Sequence, residues 1–387
     1  MKIKLNFSRV TFILLTASLL LTGGCAKKKS SSATTNSSAT TRCSDSSTSP
    51  FSVSEITQTL GDDEFFTGSF IVPSNGVSFI LSAFRDNNGA VLFDSLSDPD
   101  GTDILSSSSS PTLNGAASGS LGANGYANVL VPQSQSFSAK KGTWTFKAKK
   151  NDGVKLTLRS GTVPASTTIV VQPYITGTTW TTGDLSDALS VMSSIYSANE
   201  ITLSIKSTIS ISDSRFAAVS GTFTDTTTSA LVSQGCTAAV NLFFIEDYVG
   251  SWSGIIGNAA GIPGSIGIAN AWNGVLISLT AHASGTSLDA QLLGETAAHE
   301  MGHQLGLFHT TEEKGDVFDI LADTPECSNS RDNNGDKKMS AEECEDYGGE
   351  NVMFWTAWSS SSRSAGKKQE TLSSYQQKVL KYSPIAK

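Results

Sequence analysis

Three of the four histidines in this 387-residue chain, His299, His303 and His309, stand in the segment HEMGHQLGLFH, and Glu300 directly follows the first of them. Imidazole nitrogens are common protein ligands for transition-metal ions near neutral pH. Three of them leave a fourth tetrahedral position open, the arrangement of a catalytic zinc rather than a structural one. A carboxylate beside a ligand, but not itself a ligand, can take a proton from a water held at that position. The chemistry this set could do is metal-assisted hydrolysis, with Glu300 as general base.

The spacing dictates what must position these residues. Side chains four apart on an α-helix share a face, so His299 and His303 can approach one ion at ~2.0–2.1 Å if the segment is helical. The stretch SLDAQLLGETAAHEMGHQLG, Ser287 to Gly306, predicts that helix, with Thr286 as its N-cap and Asp289 completing a capping box. Gly306 then lets the chain turn off the helix axis and return His309 as third ligand. Upstream, Thr167–Ile175, Ile201–Ile211, Ala238–Ile245 and Val275–Thr280 read as strands, and Asp184–Ser197 as an amphipathic helix. Residues 163–387 are therefore expected to form one α/β domain. The glycine-rich run Gly261 to Asn270 is expected to supply a sheet edge against which an extended substrate pairs.

The pattern H-E-x-x-H-x-x-G-x-x-H resembles that of the metzincin zinc endopeptidases. Coincidence at five fixed positions has odds on the order of one in several hundred thousand, given the frequencies of His, Glu and Gly, and is rejected. The resemblance covers roughly Ala165 to Lys387. It implies a methionine turn beneath the metal, which ENVMFW would supply at Met353. Thr310 after the third histidine, the segment DVFDILADTPEC and the closing LSSYQQKVLKYSP resemble the pappalysin-type branch. The resemblance implies zinc as cofactor, peptide-bond hydrolysis as activity and protein or peptide substrates as partners. Several metzincin branches carry a tyrosine two residues past the methionine, where its hydroxyl can bind the developing oxyanion. Here Trp355 stands at that position, leaving zinc alone to polarise the carbonyl or another donor to serve. Tyr347 and Tyr382 are the candidates.

A second pattern lies between the zinc motif and Met353. In DNNGDKKMSAEE, Asp332, Asn334, Asp336, the Lys338 carbonyl, Ser340 and Glu343 occupy the ligand positions of a twelve-residue calcium loop. Position 6, normally glycine, is Lys337, which strains the turn. Calcium binding and a merely solvated acidic loop are the two readings. Cys327 and Cys344 bracket this loop and form the favoured disulfide. Two readings remain for Cys43: a disulfide with Cys236, or a thiolate that blocks the zinc as a latency switch.

Composition bounds where such chemistry occurs. A formal net charge of −8 argues against nucleic acid as partner. Residues 1–24 carry Lys2, Lys4 and Arg9 before an apolar run, Val10 to Leu21, that is shorter than the roughly 20 residues of a spanning helix. LTGGC then resembles a bacterial lipobox, with Cys25 as the acylated residue, a membrane anchor at the N-terminus and removal of the signal peptide. Residues 25–50, rich in Ser and Thr, read as a flexible tether. Ala26 after the cysteine favours the outer membrane or cell surface. Residues 51–162 offer short alternating strands between turns, among them Val77–Phe84, Ala90–Leu96, Ala127–Pro132, Gly142–Ala148 and Gly153–Ser160. They predict an all-β, jelly-roll-like sandwich, similar to the pre-peptidase C-terminal domains of secreted bacterial proteases. The expected chain is thus multidomain, an all-β sandwich followed by an α/β metzincin domain. The competing reading is a surface adhesin whose metzincin-like domain is inert, and the intact Glu300 weighs against it.

Overall fold

The computed structural model describes residues 49–61, 65–85, 89–105, 125–135, 138–149 and 151–387. The expected export segment, the expected lipidation site Cys25, Cys43 and nearly all of the tether lie outside the described residues.

Period-two alternation in the first part builds two antiparallel sheets of four strands each. One runs β1 (Phe51–Ile56), β8 (Gly153–Ser160), β4 (Gly76–Phe84), β6 (Tyr126–Val131). The other runs β2 (Gln58–Leu60), β3 (Phe65–Val72), β7 (Gly142–Lys149), β5 (Leu92–Ser97). In β7, Trp144, Phe146 and Ala148 are buried while Thr143 and Thr145 face water, as a strand with one wet face requires. Phe70, Phe79, Phe93, Trp144 and Phe146 meet in a core shared by both sheets. Strands β4 and β6 are buried on both faces instead. Phe79 and Leu81 face the first core, whereas Ile80 and Leu130 join the core of the second part.

That second part is a mostly parallel sheet with strands β9 (Thr167–Thr176), β10 (Ile201–Ile205), β13 (Val240–Ile245), β15 (Gly257–Ala259) and β16 (Val275–Ser278). Their order is β10, β9, β13, β16, β15, and only the edge strand β15 is antiparallel to its neighbour. Two short strands, β12 (Ala218–Val219) and β14 (Asp247–Tyr248), pair beside it. The expected strand Ile201–Ile211 is broken: β10 ends at Ile205, and β11 (Ile209–Ile211) resumes along β9. Pro173 explains the gap, because it offers β9 no N–H at that register, and the Gln172 side chain donates to the Ser207 carbonyl instead.

Helices α1 (Ser186–Ala198) and α3 (Ala290–Gln304) cover one face of this sheet through Leu189, Met192, Leu293 and Met301. The other face packs on Phe216, Phe223 and, from α2 (Thr226–Val232), Leu231. With both faces covered, β13 is apolar throughout except at Asn241. The chain closes with α4 (Ser360–Ser364) and α5 (Ser374–Tyr382), the latter started by a capping box between Ser373 and Gln376. Among the described residues, no helix is long and apolar enough to cross a membrane.

Candidate metal centre

The histidines depend on where α3 begins. Thr286 is not its cap, contrary to expectation: Ser287 and Leu288 pair with Ala283 and Ser284 in a small hairpin whose turn holds Gly285 at φ 67°. Asp289 is the N-cap and accepts the Leu292 N–H at 3.0 Å. Further along, a Cβ on Gly294 would stand 2.6 Å from the Ala188 carbonyl oxygen, so glycine lets α1 approach closely. Tyr196 of α1 donates to the Ala298 carbonyl at 3.0 Å, fixing the two helices at the residue just before the motif.

All three histidines are buried and their ligand nitrogens converge. His299 Nδ1 lies 2.7 Å from the Val352 carbonyl and His303 Nδ1 2.7 Å from the Leu307 carbonyl. Those contacts select the tautomer that leaves a lone pair on each Nε2. His303 Nε2 and His309 Nε2 are 3.1 Å apart, and His309 Nε2 and His299 Nε2 are 3.2 Å apart. Ligands on a tetrahedral ion at ~2.0–2.1 Å are about 3.3 Å from one another, so the donor set fits zinc. Burial lowers the His299 pKa from 6.5 to about 3 and also holds His303 neutral, which keeps both able to ligate. Glu312, three residues past the motif and overlooked in the sequence, sets Oε2 3.2 Å from His309 Nδ1. The contact is an ion-pair approach of the carboxylate to that ring nitrogen.

Met353 lies against the helix floor. A Cβ on Gly302 would come within 2.4 Å of its Sδ. The surrounding turn supports two ligands at once: the Val352 carbonyl holds His299, and the Met353 carbonyl accepts the Thr310 N–H at 3.0 Å. Asn351 shapes the turn by accepting the Met353 N–H, and Gln376 of α5 exchanges two hydrogen bonds with Asn351.

Glu300 lines a small cleft together with His299. Its Oε2 is buried without a hydrogen-bond partner, and burial raises its carboxyl from 4.5 to about 8 against a backbone hydrogen bond at Ala259. Gly257 of β15 brings backbone so near that a Cβ there would meet Glu300 Cγ at 2.7 Å. A small cleft beside His299 and Glu300 is walled by Ile256, Leu292, Thr296 and Phe354, with Glu295 among its lining residues.

One expectation about the surroundings is corrected. The Gly261–Asn270 run is not an open edge: Gly264 N–H donates to the Gln304 carbonyl, and a Cβ on Gly267 would strike Phe51. Its glycines serve close packing between α3 and the N-terminal sheet, and the end strand of the sheet nearest Glu300 is β15. Trp355 gives its indole N–H to the Met339 carbonyl and so has none to offer an oxyanion. Tyr347 lies under the Arg331 guanidinium at the surface, and Tyr382 ends α5 next to Lys381, whose carbonyl Arg159 holds.

The loop from Asp332 to Glu343 folds upon itself. Asp332 accepts the Gly335 and Lys337 N–H groups, Asn334 that of Asp336, and Asp336 that of Lys338. Glu343 accepts from Asn333 and from both the backbone and hydroxyl of Ser340. Lys337 takes φ 64°, the left-handed conformation that glycine usually supplies. Among the described residues, the histidine triad is the only cluster of three or more His, Cys, Asp or Glu ligand atoms gathered within 4.8 Å. Cys327 and Cys344 are joined by a disulfide, buried with Met339, Phe354, Trp355 and Trp358. Cys236 is buried and disulfide-bonded as well.

Residues 184–310 match a protein family described as Metallo-peptidase family M12B Reprolysin-like. That match and the histidine triad support a metzincin-type metallopeptidase. Extracellular metalloprotease 1 of Coccidioides posadasii (strain C735) is 36% identical over 93 residues, 24% of this chain and 33% of that protein. The chain thus matches about a third of that relative's length. Among solved structures, metalloproteinase-II from Bacteroides fragilis aligns at 15% identity over 42% of this chain and 54% of the other, with a TM-score of 0.25. A zinc-dependent peptidase from Methanocorpusculum labreanum (strain Z) aligns at 12% identity over 54% and 99%, with a TM-score of 0.28.

Proposed function

We propose that this chain is a lipid-anchored zinc endopeptidase hydrolysing peptide bonds of proteins outside the cytoplasm. One observation carries the reading: three imidazole Nε2 atoms converge, His309 Nε2 lying 3.1 Å from that of His303 and 3.2 Å from that of His299, and His299 lines a cleft with Glu300, whose buried Oε2 is unpartnered. His299, His303 and His309 would hold the ion, which when bound polarises the scissile carbonyl and lowers the pKa of water to about 7. Glu300 accepts the proton of the attacking water and returns it to the leaving amine nitrogen. The substrate lies extended along β15, adding a strand to the sheet edge, with Gly257 and Ala259 bordering the reacting bond.

Several features support the finer assignment. Thr310, the Asp323-Thr324-Pro325 segment and α5 favour the pappalysin-type branch, and Asp323 ties that segment to α5 by accepting from Ser373 and Tyr375. Two antiparallel sheets around one core favour a jelly-roll-like, pre-peptidase-C-like β-sandwich over residues 51–162, ahead of a metzincin domain over 163–387. The Asp332–Glu343 loop is assigned a calcium ion, and Cys25 the lipid that fixes the protein to the outer membrane or cell surface. The extracellular relative agrees with such a location. Purified protein should digest an unfolded protein substrate, stop when a chelator strips the metal, and resume when one equivalent of zinc is restored. No digestion by the zinc-loaded protein would overturn the reading.

A further inference from the structure

The turn that returns His309 is held from outside the matched family segment. Gly306, the residue just past the C-cap Leu305 of α3, takes φ 109°, the left-handed conformation that turns the chain off the helix axis. Gln133, just past β6 in the N-terminal sheet, donates Nε2–H to the Gly306 carbonyl at 2.8 Å in a buried contact. Leu130 of β6 presses on the same residue: a Cβ on Gly306 would lie 2.7 Å from Leu130 Cδ2. Leu130 is fully buried in the core that also contains Met301, Leu305 and Leu307. On the opposite side, His303 Nδ1 holds the Leu307 carbonyl. The segment between the second and third histidines is thus clamped between a zinc ligand and the N-terminal sheet.

We propose that Gln133 and Leu130 are positioning residues of the metal centre, holding the Gly306 turn so that His309 reaches the two histidines of α3. The N-terminal sheet is then a wall of the zinc site rather than an appendage to it. The inference rests on the proposed zinc chemistry, since it assigns these residues a role only through the ligand they position. Groups that orient metal ligands typically change metal affinity by about 10- to 100-fold when removed, and an unmet buried carbonyl would bias the turn toward other conformations.

The same interface contains an internal control. Thr157 Oγ1 donates to the Ile266 carbonyl at 3.0 Å, joining the N-terminal sheet to the glycine-rich run instead of to the histidine turn. Zinc affinity should be measured on the full chain by competition with a chromophoric chelator, and the visible spectrum recorded after cobalt substitution. Gln133→Met should weaken zinc binding by about tenfold or more and shift the cobalt bands, with Leu130→Val in the same direction by less. Thr157→Val should leave both readouts unchanged. Equal zinc affinity in Gln133→Met and wild type, or equal weakening by Thr157→Val, overturns the positioning role. If Gln133→Met does not fold, the Leu130→Val and Thr157→Val pair decides by the same criteria. Wild type that takes up no zinc sinks the proposed function itself, and the positioning role with it. Wild type that binds zinc and digests protein while the variants match it sinks only this inference.

Discussion

The histidine centre and the Asp332–Glu343 loop both carry metal-ligand spacing, yet their donor atoms stand in opposite situations. In the centre, backbone carbonyls hold the Nδ1 atoms of His299 and His303, which aims the Nε2 atoms at a single buried point. In the loop, the carboxylates of Asp332, Asp336 and Glu343 already accept N–H groups of their own backbone at an exposed surface. Spacing therefore named the candidate ligands in both regions, but the hydrogen bonds around them distinguish the two. A site whose supporting bonds orient its ligands is prepared for an ion before the ion arrives. A loop that satisfies its own oxygens gains less from one, because each new coordination bond competes with an existing hydrogen bond.

The largest expected effect tests the first half of that contrast. His303→Ala should drop bound zinc from about one per chain to a trace, measured by elemental analysis after dialysis, because only two ligands remain. Zinc retained at wild-type level would place the ion elsewhere. Next in size, replacing both Cys327 and Cys344 by serine should cost about 3 kcal/mol of stability by denaturant titration, from loop-closure entropy. The zinc content should not change. Loss of zinc in that variant would mean the two regions are coupled after all.

Acid should separate the regions further. His282 places Nδ1 2.6 Å from the Ser278 carbonyl and Nε2 2.8 Å from Thr296 Oγ1 of α3. Burial lowers its pKa from 6.5 to about 4. The unfolded chain takes a proton below about 6.5 that the folded chain refuses until about 4. This contribution to stability is full above 6.5 and is lost as pH falls toward 4. The melting temperature of metal-free His282→Gln should accordingly depend less on pH in that window than that of metal-free wild type, and parallel curves would refute the assignment. The smallest effect belongs to calcium. At about ten times its dissociation constant it should raise the wild-type melting temperature by roughly 3–6 °C. The Asp332→Ala, Glu343→Ala double variant should show no rise, and equal responses would return the loop to a merely solvated one.

The histidine motif was legible because a metal constrains residue type at fixed spacing along a helix. Strands such as Gly76–Phe84, Gly142–Lys149 and Gly153–Ser160 were legible because turn residues and alternation delimit them. The start of α3 is not legible, since the Gly285 turn within a small hairpin reads like the approach to a cap. The break in Ile201–Ile211 is written in a different strand, at Pro173, and no local pattern reports it. The glycines of Gly261–Asn270 pointed to an open edge but serve close packing, and glycine spacing does not distinguish the two. Glu312, Gln376 and Gln133 carry no local sequence signal that ties them to the centre. Gln376 and Gln133 reach it only through contacts distant in sequence.

The central claim is that the centre is a zinc site whose general base is Glu300, and one paired measurement tests it most directly. Zinc content and peptide hydrolysis should be determined on the same preparations of wild type and Glu300→Ala. Both proteins should hold about one zinc per chain, and the variant should lose turnover by about 10²–10⁴-fold, because it lacks the proton acceptor but no ligand. Undiminished hydrolysis by zinc-loaded Glu300→Ala, or a wild type that hydrolyses peptides with no zinc bound, would contradict the account.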